Sequence, residues 1–486
     1  VILLISLAIS QSVFSQTYSF EKGKVPEGWK IDKGVLHISS EKYKSGSRSL
    51  QIKWKQNAVL TIPSPTGISE ACRNRNGGMN AWIYNESPTK ENLLFSFRDE
   101  TGKEVCQLPF LLDFKGWRCI WAKFQGDMNM SSKSNIQSVE IQFPQHTKKG
   151  VTYIDLLEFT SKVSWQNMSD AQYKVNRTDY SLIPDFIGYR NATPKVEKVI
   201  TAEDNQITTI TDRLTTWYLG SGQHSSERWI KMRTENEKTF IRNGVKAAQK
   251  IKIQYTEDHT PQGEPLFPMG APTIIDGQEA KKFRSINENI LLPLALDYRK
   301  NQNDQSLKKA LYIYDWFNDQ GWADGSSMGT LCFEKLRSSG YFHSFFLLKE
   351  QLSPEQLKRE LQTMNWFTMF GACYQLPSHA GEVADNLRAL AIPKLIYALS
   401  QNDKQEREVA LTAFKHYMDN ALGIAPGFFG TFKADFSGYH HRGPYHSAYY
   451  PHALYAGALI AYLLHDTPYA LSETTLHNLK QGLLTC

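Results

Sequence analysis

Histidine and tyrosine are concentrated in one short stretch near the carboxyl end of this 486-residue chain. Residues 438–449 hold three histidines and three tyrosines: His440, His441, His446, Tyr439, Tyr445 and Tyr449. Both residue types take up and release protons, so the cluster predicts general acid–base chemistry. The alternative is that the tyrosines are packing residues and the histidines are polar groups of a loop.

Helices are predicted around this cluster. An almost unbroken apolar run over residues 450–464 follows it and predicts a helix buried on all sides, which would hold the cluster in place. Apolar residues at i, i+3 and i+4 spacing predict helices over residues 204–218, 288–298, 306–320, 353–370, 385–400, 405–421 and 448–464. Stacked helical hairpins of this kind favour an α/α toroid over residues 201–486, although a helical solenoid has the same local pattern.

The amino-terminal third has a different texture. Residues 17–163 contain short alternating apolar runs separated by Gly, Pro, Asn and Asp, which predict a jelly-roll β-sandwich. In jelly rolls of the carbohydrate-module type the first and last strands lie together, and carboxylates from both can hold a structural Ca²⁺-type ion. The predicted ligands are Ser19, Glu21 and Asp155, and the alternative is that the carboxylates are simply solvated. Residues 164–200 are polar and predict a linker, so the fold class is multidomain β + α.

Composition limits the partners. Hydrophobic residues make up 41% and charged residues 21%, as in a globular protein with two or three domains. Aromatic residues reach 12%, and rings that are not needed in cores can stack on sugars. The net charge of +6 is not gathered into a long Lys/Arg run, which argues against nucleic acid and leaves an acidic substrate open.

The first sixteen residues predict export from the cytoplasm, and the cysteine spacing limits the kinds of site. Residues 1–16 resemble the apolar region and cleavage site of a secretory signal, without an initiator Met or charged residues before it. We therefore expect a remnant of a signal peptide and a secreted, periplasmic or cell-surface protein. No other segment reaches the roughly 18 apolar residues of a membrane span. The six cysteines have no CxxC spacing, so neither a zinc site nor a dense disulfide framework is predicted.

Several segments resemble one known family. Trp82–Glu86 and Leu112–Arg118 in the β region, and Trp366-Phe367, the surroundings of His441 and Asp466–Tyr469 in the helical region, stand in order along nearly the whole chain. In this order they resemble polysaccharide lyases of the chondroitin and hyaluronan type, most closely the chondroitin sulfate ABC lyases. The resemblance implies a secreted monomer that cleaves chondroitin sulfate, dermatan sulfate or hyaluronan by β-elimination, without a cofactor for the chemistry.

The resemblance also assigns roles to residues. Counting back from Asp466, the catalytic tyrosine of the family corresponds to Tyr449. Its histidine corresponds either to His441, within a His-x-Gly-x-Tyr pattern, or to His440, nine residues before the tyrosine; His441 is slightly favoured. The supporting arginine and glutamate of the family have no counterparts before Cys486, so we expect a truncated chain. Residues 333–335 replace paired histidines that the family uses for the second uronate epimer, which puts dermatan cleavage in doubt.

The chemistry explains why these residue types are suitable. Elimination removes the proton α to a carboxylate and expels the oxygen β to it, so the charge of the carboxylate must be neutralised as the carbanion forms. A histidine can share that task, and a tyrosine near cations can act as base and then as acid. The predicted substrate-binding residues are Arg442, Asn386, Trp366, Phe367 and Tyr445. For Asn386 and the nearby Glu382 the alternative is an ordinary helix polar group, and for Trp366 and Phe367 it is core packing.

Three competing functions remain. A glycoside hydrolase on the same helical fold would need two facing carboxylates, and Asp385, Glu382 and Asp435 are the candidates. A glycan-binding protein without catalysis would use the β-sandwich as its binding module. A metal site at His440, His441 and His446 is the third, although it lacks a Glu or Cys at ligand spacing.

Overall fold

A computed structural model describes residues 17–163, 169–175, 186–220, 227–255, 260–266, 278–327 and 337–486. The described residues divide into two compact units, one up to residue 175 and one from residue 186 onward. The predicted signal segment 1–16 and residues 333–335 lie outside the described residues. Within the described residues, no helix is both long enough and apolar enough to cross a membrane.

The first unit is a β-sandwich of two five-stranded antiparallel sheets. The strands are β1 (Lys30–Ile31), β2 (Gly34–Ser39), β3 (Ser49–Lys55), β4 (Val59–Pro63), β5 (Gly78–Asn85), β6 (Asn92–Arg98), β7 (Glu104–Leu111), β8 (Gly116–Lys123), β9 (Ser138–Gln142) and β10 (Lys149–Thr160). One sheet has the order β1-β4-β9-β6-β7 and the other β2-β3-β10-β5-β8. A short helix, α1 (Ile68–Arg73), connects β4 to β5. The predicted sandwich is confirmed, and its jelly-roll connectivity stays a prediction.

Alternation along the strands builds the sandwich core. In β9 the apolar side chains Val139 and Ile141 are buried while the polar residues between and beside them are partly exposed. This period-two pattern lets each sheet bury one face against the other. The segment around Tyr18 pairs with β10 through a bridge to Leu157, so the beginning and the end of the unit lie together as expected.

Part of the predicted linker belongs to the sandwich. Residues 169–175 lie against strand β8, where the Asp170 carboxylate accepts the backbone N–H of Cys119 at 2.8 Å. The Tyr173 hydroxyl accepts the N–H of Trp121, also at 2.8 Å. The residues from 186 to 200 are part of the second unit. In its described parts, the stretch 164–200 therefore contributes to both units.

The second unit is helical. Its helices are α2 (Phe186–Arg190), α3 (Asp204–Leu219), α4 (Arg228–Ala248), α5 (Gln278–Ile286), α6 (Leu292–Asn301), α7 (Asp304–Asp319), α8 (Ser339–Leu348), α9 (Pro354–Thr368), α10 (Ala384–Leu399), α11 (Lys404–Ala421), α12 (Tyr449–Leu464) and α13 (Glu473–Thr485). Two small hairpins accompany them, β11 (Gln254–Tyr255) with β12 (Pro261–Gln262) and β13 (Tyr439–His440) with β14 (Gly443–Pro444). The predicted helical region is confirmed, whereas the toroid arrangement stays a prediction.

Local sequence explains several helix boundaries. Helix α9 begins with a capping box, in which Ser353 accepts the N–H of Gln356 and the Gln356 side chain accepts the N–H of Ser353. Pro354 occupies the first helical position, where its missing N–H removes no helical hydrogen bond. Helices α10 and α12, which carry the residues of the predicted site, pack against each other.

Candidate functional site

The predicted histidines lie on a tight hairpin. Strands β13 and β14 are joined by His441 and Arg442, whose φ angles are +50° and +65°. Two successive positive φ angles are typical of a type I′ turn, which favours Asn and Gly. A histidine and an arginine in this conformation cost of the order of 1–2 kcal/mol each. Such strain is concentrated at functional sites, where the surrounding structure holds it.

Tyr449 begins helix α12 directly after this hairpin, and its neighbour anchors the helix. Tyr450 is buried and donates its hydroxyl to the carbonyl of Phe436 at 2.7 Å. The backbone of Gly438 lies on the Tyr450 ring, since an added Cβ would be only 2.0 Å from the ring's Cγ. Tyr449 remains partly exposed. The buried tyrosine thus holds the exposed one beside the hairpin.

The structure brings four predicted residues together. The His440 ring stacks on Tyr449, with centroids 3.9 Å apart and an interplanar angle of 21°. The His441 ring is 4.1 Å from that of His440 and stands edge-on to Tyr449 at 5.5 Å. Tyr445 also contacts Tyr449, at 5.0 Å. We call these four side chains, His440, His441, Tyr445 and Tyr449, the His–Tyr cluster.

The two histidines differ in their surroundings. His440 is only 8% exposed, and among the described residues neither of its ring nitrogens has a hydrogen-bond partner. Its Nε2 lies 3.4 Å from Asp385 Oδ2, a contact that is not aligned as a hydrogen bond. Burial lowers the pKa of His440, Asp385 opposes that effect, and His441 and Arg388 add to it. His440 is thus biased toward the neutral form, while His441 is exposed.

An arginine that the sequence reasoning missed completes this side of the cluster. Arg388 forms an ion pair with Asp385, 2.8 Å between Nη2 and Oδ1, although the geometry is not that of an aligned hydrogen bond. Its guanidinium carbon lies 5.3 Å from the centroid of the Tyr449 ring. The available signal was its position three residues after Asp385, on the same side of α10.

The other polar residues of α10 have structural partners. Glu382 accepts the N–H of Val383 and the side-chain amide of Asn386 on one oxygen, and the hydroxyl of Tyr417 on the other. Glu382 lies just before α10 and ties its first turn to Tyr417 on α11. Asn386 is buried beside Asp385 in the first turn. Arg442 is exposed on the hairpin turn, next to the cluster in sequence.

Trp366 and Phe367, predicted to stack on sugars, lie in the core. The indole N–H of Trp366 donates to the carbonyl of Ser326 at 2.7 Å, and its ring packs near Phe186. Phe367 stacks on Trp322 with centroids 3.5 Å apart. Both side chains are buried, so neither ring has a free face for a sugar. Core packing, the alternative reading of these two residues, accounts for both.

Exposed aromatic rings occur instead on a nearby loop. Phe428 and Phe429 are 68% and 64% exposed between two glycines with positive φ, Gly427 and Gly430. The loop continues into Thr431, whose hydroxyl donates to the Glu382 carbonyl and whose carbonyl accepts the N–H of Tyr439. The missed signal was the Gly-Phe-Phe-Gly sequence, in which the glycines permit a turn that exposes both rings.

A cavity of about 480 Å³ opens beside Arg388 within the helical unit. Its lining combines cationic, aromatic and apolar side chains: Trp217, Arg284, Glu288, Arg337, Ser339, His343, Arg388, Ala389, Ile392, Pro393, His452, Tyr455, Ala456 and Leu459. None of the residues predicted for the site lines this cavity, and the cavity is next to the His–Tyr cluster through Arg388, which was not predicted. The cavity therefore extends the site in a direction that the local motif did not indicate.

The predicted calcium ligands border one loop of the sandwich. Glu21 accepts the N–H groups of Ser47 and Arg48, and buried Asp155 accepts those of Lys44 and Ser45. Burial raises the pKa of Asp155 to about 7, the three N–H bonds it accepts lower it, and the charge of Glu21 adds to the increase. A cation beside Asp155 would offset its buried charge, and a structural ion held by Glu21 and Asp155 stays a prediction. Ser19 lies two residues before Glu21.

The competing sites find less support. In the described part of the chain, no group of three His, Cys, Asp or Glu side chains could hold a metal ion, and that search includes His440, His441 and His446. The Asp435 carboxylate accepts two hydrogen bonds from Ser437, which lower its pKa. A hydrolase requires the opposite, a general acid whose pKa is raised.

Comparison with known proteins identifies the family. The family described as "Lyase, catalytic" matches residues 193–486, and the one described as "Lyase, N terminal" matches residues 14–175. Together they cover both units of the fold. The chain therefore has the domains of a polysaccharide lyase. Within that class it belongs to the chondroitin lyase family.

Individual relatives are more distant. The chain is 25% identical to the chondroitin sulfate ABC exolyase of Bacteroides thetaiotaomicron, across 96% of this chain and 47% of that protein. It is 24% identical to the chondroitin sulfate ABC endolyase of Proteus vulgaris, across 97% of this chain and 50% of that protein. The chain thus spans about half the length of the curated relatives it matches. The structure of a xanthan lyase from Paenibacillus matches over 58% of this chain and 25% of that protein, at 13% identity and a TM-score of 0.44.

Proposed function

We propose that the protein cleaves glycosaminoglycans of the chondroitin sulfate type by β-elimination and leaves a 4,5-unsaturated uronate at the new end. The observation that carries this proposal is the His–Tyr cluster, in which the exposed His441 imidazole and the partly exposed Tyr449 phenol are in ring contact and Arg388 lies over the Tyr449 ring. Family membership and the curated relatives named as chondroitin sulfate lyases support the substrate class.

The first step removes the proton at C5 of the uronate. Tyr449 acts as the base, since its ring is partly exposed and the guanidinium of Arg388 lies 5.3 Å from the ring centroid. His441, exposed on the strained turn, donates a hydrogen bond to the uronate carboxylate as charge develops there. Elimination then expels the oxygen at C4, and the Tyr449 hydroxyl returns its proton to that leaving oxygen.

His440 and Asp385 act through their neighbours. The His440 ring lies flat on Tyr449 and restricts its rotation, while Asp385 touches both His440 and Arg388. The lowered pKa of His440 favours its neutral form, so the ring adds no positive charge beside Asp385 and Arg388. These residues therefore orient the Tyr449 phenol and the Arg388 guanidinium without touching the substrate. Holding a reacting group in the right geometry lowers the barrier to reaction.

The decisive assay follows product chemistry. The intact protein is incubated with chondroitin sulfate and with hyaluronan, and both the ultraviolet absorbance of unsaturated uronates and the number of reducing ends are measured. Parallel growth of both signals supports elimination. New reducing ends without the absorbance would indicate a glycoside hydrolase. Tight binding of the polymer without either signal would indicate a non-catalytic glycan-binding protein.

We further propose that Glu21 and Asp155, with Ser19 nearby, hold a structural Ca²⁺ in the sandwich. Asp155 has a folded-state pKa raised to about 7, so its stabilising contribution is present at low pH and is lost as the pH rises through 7. At pH 8 the ion would offset the buried charge. Calcium should therefore raise the melting temperature at pH 8 relative to a chelator, and Asp155→Asn should abolish the difference. Equal melting curves with and without calcium would contradict the proposed calcium site.

The finer architecture and the location of the protein belong to the same proposal. We propose that the sandwich has jelly-roll connectivity and that the helices form an α/α toroid around the cavity. The protein then acts as a monomer outside the cytoplasm, where large polysaccharides are accessible. An experimental structure, cell fractionation and light scattering test these points separately.

A further inference from the structure

The cavity beside Arg388 collects positive charge from separate parts of the chain. Arg284 comes from α5, Arg337 lies just before α8, and Arg388 comes from α10. Glu288 is the one carboxylate among the described residues of the lining. Guanidinium groups are suited to bind carboxylates and sulfates because they present several donors in one plane.

The single carboxylate is held by its own neighbours. Glu288 pairs with Arg284 at 2.8 Å and accepts the Ser339 hydroxyl at 2.9 Å. It belongs to a π-helical segment, Asn287–Leu291, between α5 and α6. Helix α8 lies directly on that segment, since a Cβ on Gly340 would be 2.0 Å from the Asn287 carbonyl oxygen. π-Helical segments often occur at functional sites.

His343 adds no positive charge near neutral pH. Burial lowers its pKa to about 4, and its Nδ1 is hydrogen-bonded to the Tyr218 hydroxyl. The charge of the cavity therefore comes from the arginines, which exceed the carboxylate in number. Arg388 is also paired with Asp385 at 2.8 Å, so an occupant with one negative group would balance the charge that remains.

The remaining walls suit a sugar ring. Trp217 and Tyr455 are aromatic, and Tyr455 is 60% exposed, so its ring has a free face. Ile392 and Leu459 supply apolar surface. Aromatic and apolar walls with a few charged groups are typical of ligand cavities, and a volume of about 480 Å³ falls within their usual range.

Arg388 connects this cavity to the His–Tyr cluster. Its guanidinium lines the cavity and also lies 5.3 Å from the Tyr449 ring. An occupant of the cavity is therefore adjacent to the reacting sugar. The uronate that loses its proton must have its own carboxylate at the cluster, so the anion in the cavity belongs to a neighbouring sugar.

We propose that this cavity binds an oxyanion on a sugar next to the scissile bond, and that Arg284 and Arg337 determine the preference for it. The proposal rests on the lyase function proposed above. The oxyanion is either the sulfate ester of the adjoining hexosamine or the carboxylate of the next uronate, and both have the planar or trigonal oxygen arrangement that a guanidinium recognises.

Binding measurements separate this proposal from catalysis. In the intact protein carrying Tyr449→Phe, calorimetry measures the affinity for size-matched oligosaccharides of chondroitin sulfate, unsulfated chondroitin and hyaluronan. Adding Arg284→Ala should weaken binding of the sulfated oligosaccharide about tenfold. The matched control is Arg242→Ala, an exposed arginine that lines a different cleft on α4 and should change affinity less than twofold.

The outcomes distinguish the source of the anion. Weaker binding of the sulfated oligosaccharide alone assigns the cavity to a sulfate ester, and equal weakening for all three assigns it to a uronate carboxylate. Equal affinities of the Arg284→Ala and Arg242→Ala variants would overturn the proposal. The Arg284 side chain is 58% exposed, so melting curves of that variant should match the background. Failure of the lyase function appears separately, as absence of unsaturated product from the unmodified protein.

Discussion

Among the histidine–tyrosine pairs in the described part of the helical unit, two are built in opposite ways. His440 and Tyr449 stack face to face with 3.9 Å between centroids, and no hydrogen bond joins their polar atoms in the described residues. Tyr218 and His343 are instead joined through a hydrogen bond between the hydroxyl and Nδ1. The second pair also packs on Phe346, with Tyr218 stacked at 5.4 Å.

The difference shows which pair is available for chemistry. A hydrogen-bonded pair has already used the atoms that would contact a substrate, and burial keeps both members neutral by raising the pKa of Tyr218 and lowering that of His343. A stacked pair fixes ring orientation while leaving the hydroxyl and the nitrogens unused. Residue type alone would not separate the two, because both consist of the same side chains.

The strongest test removes the hydroxyl of the stacked pair. Tyr449→Phe keeps the ring contact with His440 and should lower the rate of unsaturated product formation about 1,000-fold or more, because the base and acid are lost. The melting temperature should be unchanged. Tyr445→Phe, an exposed tyrosine in the same cluster, serves as the control and should retain most of the activity. Full activity in Tyr449→Phe would contradict the proposal that Tyr449 is the base and acid.

The two histidines of the cluster should respond differently. His441→Ala should reduce activity about 100-fold because the proposed hydrogen bond from its imidazole to the substrate carboxylate is lost. His440→Ala should reduce activity about tenfold, since it loosens Tyr449 without removing a contact to substrate. The measurement is kcat and KM for each variant. A larger loss in His440→Ala than in His441→Ala would reverse the roles proposed for them.

A smaller effect is expected in the pH profile. Asp385 raises the pKa of His440, against burial, His441 and Arg388, which lower it. Asp385→Asn should therefore lower that pKa further, and the acidic limb of the kcat/KM profile should move to lower pH. Asp419→Asn, on α11, is a carboxylate control that should leave the limb in place. A shift to higher pH would contradict the proposed role of Asp385.

The hydrogen-bonded pair should give the smallest catalytic effect. Tyr218→Phe removes its hydrogen bond to His343 and should cost about 1 kcal/mol of unfolding free energy, while kcat changes less than about twofold. Chemical denaturation and initial rates measure the two quantities. Loss of activity comparable to that of Tyr449→Phe would show that the second pair also takes part in the reaction.

Much of the architecture could be predicted from local patterns. The predicted helix over 204–218 corresponds to α3 (Asp204–Leu219), and that over 405–421 corresponds to α11. Helices α4 and α8 were missed for opposite reasons. The sequence of α4 is rich in charged residues, whereas α8 is buried on all sides and has no polar face to mark its period.

The site was only partly predictable for a physical reason. The His–Tyr cluster is contiguous in sequence, so composition within twelve residues was sufficient to find it. Arg284, Arg337 and Arg388 converge on the cavity only through the packing of distant helices, and no local spacing records that. Trp366 has the same type as a sugar-stacking residue, and only its burial separates the two roles.

The contact between Gly438 and the ring of Tyr450 makes the position of Tyr449, the proposed base, depend on a buried neighbour. The backbone of Gly438, just before β13, contacts the Tyr450 ring, and the Tyr450 hydroxyl donates a hydrogen bond to the Phe436 carbonyl. Because successive helical residues are rotated by a fixed angle, setting Tyr450 also sets the direction of Tyr449. The direction of Tyr449, the proposed base, is therefore set by the core, and a single methyl group at position 438 would be enough to change it.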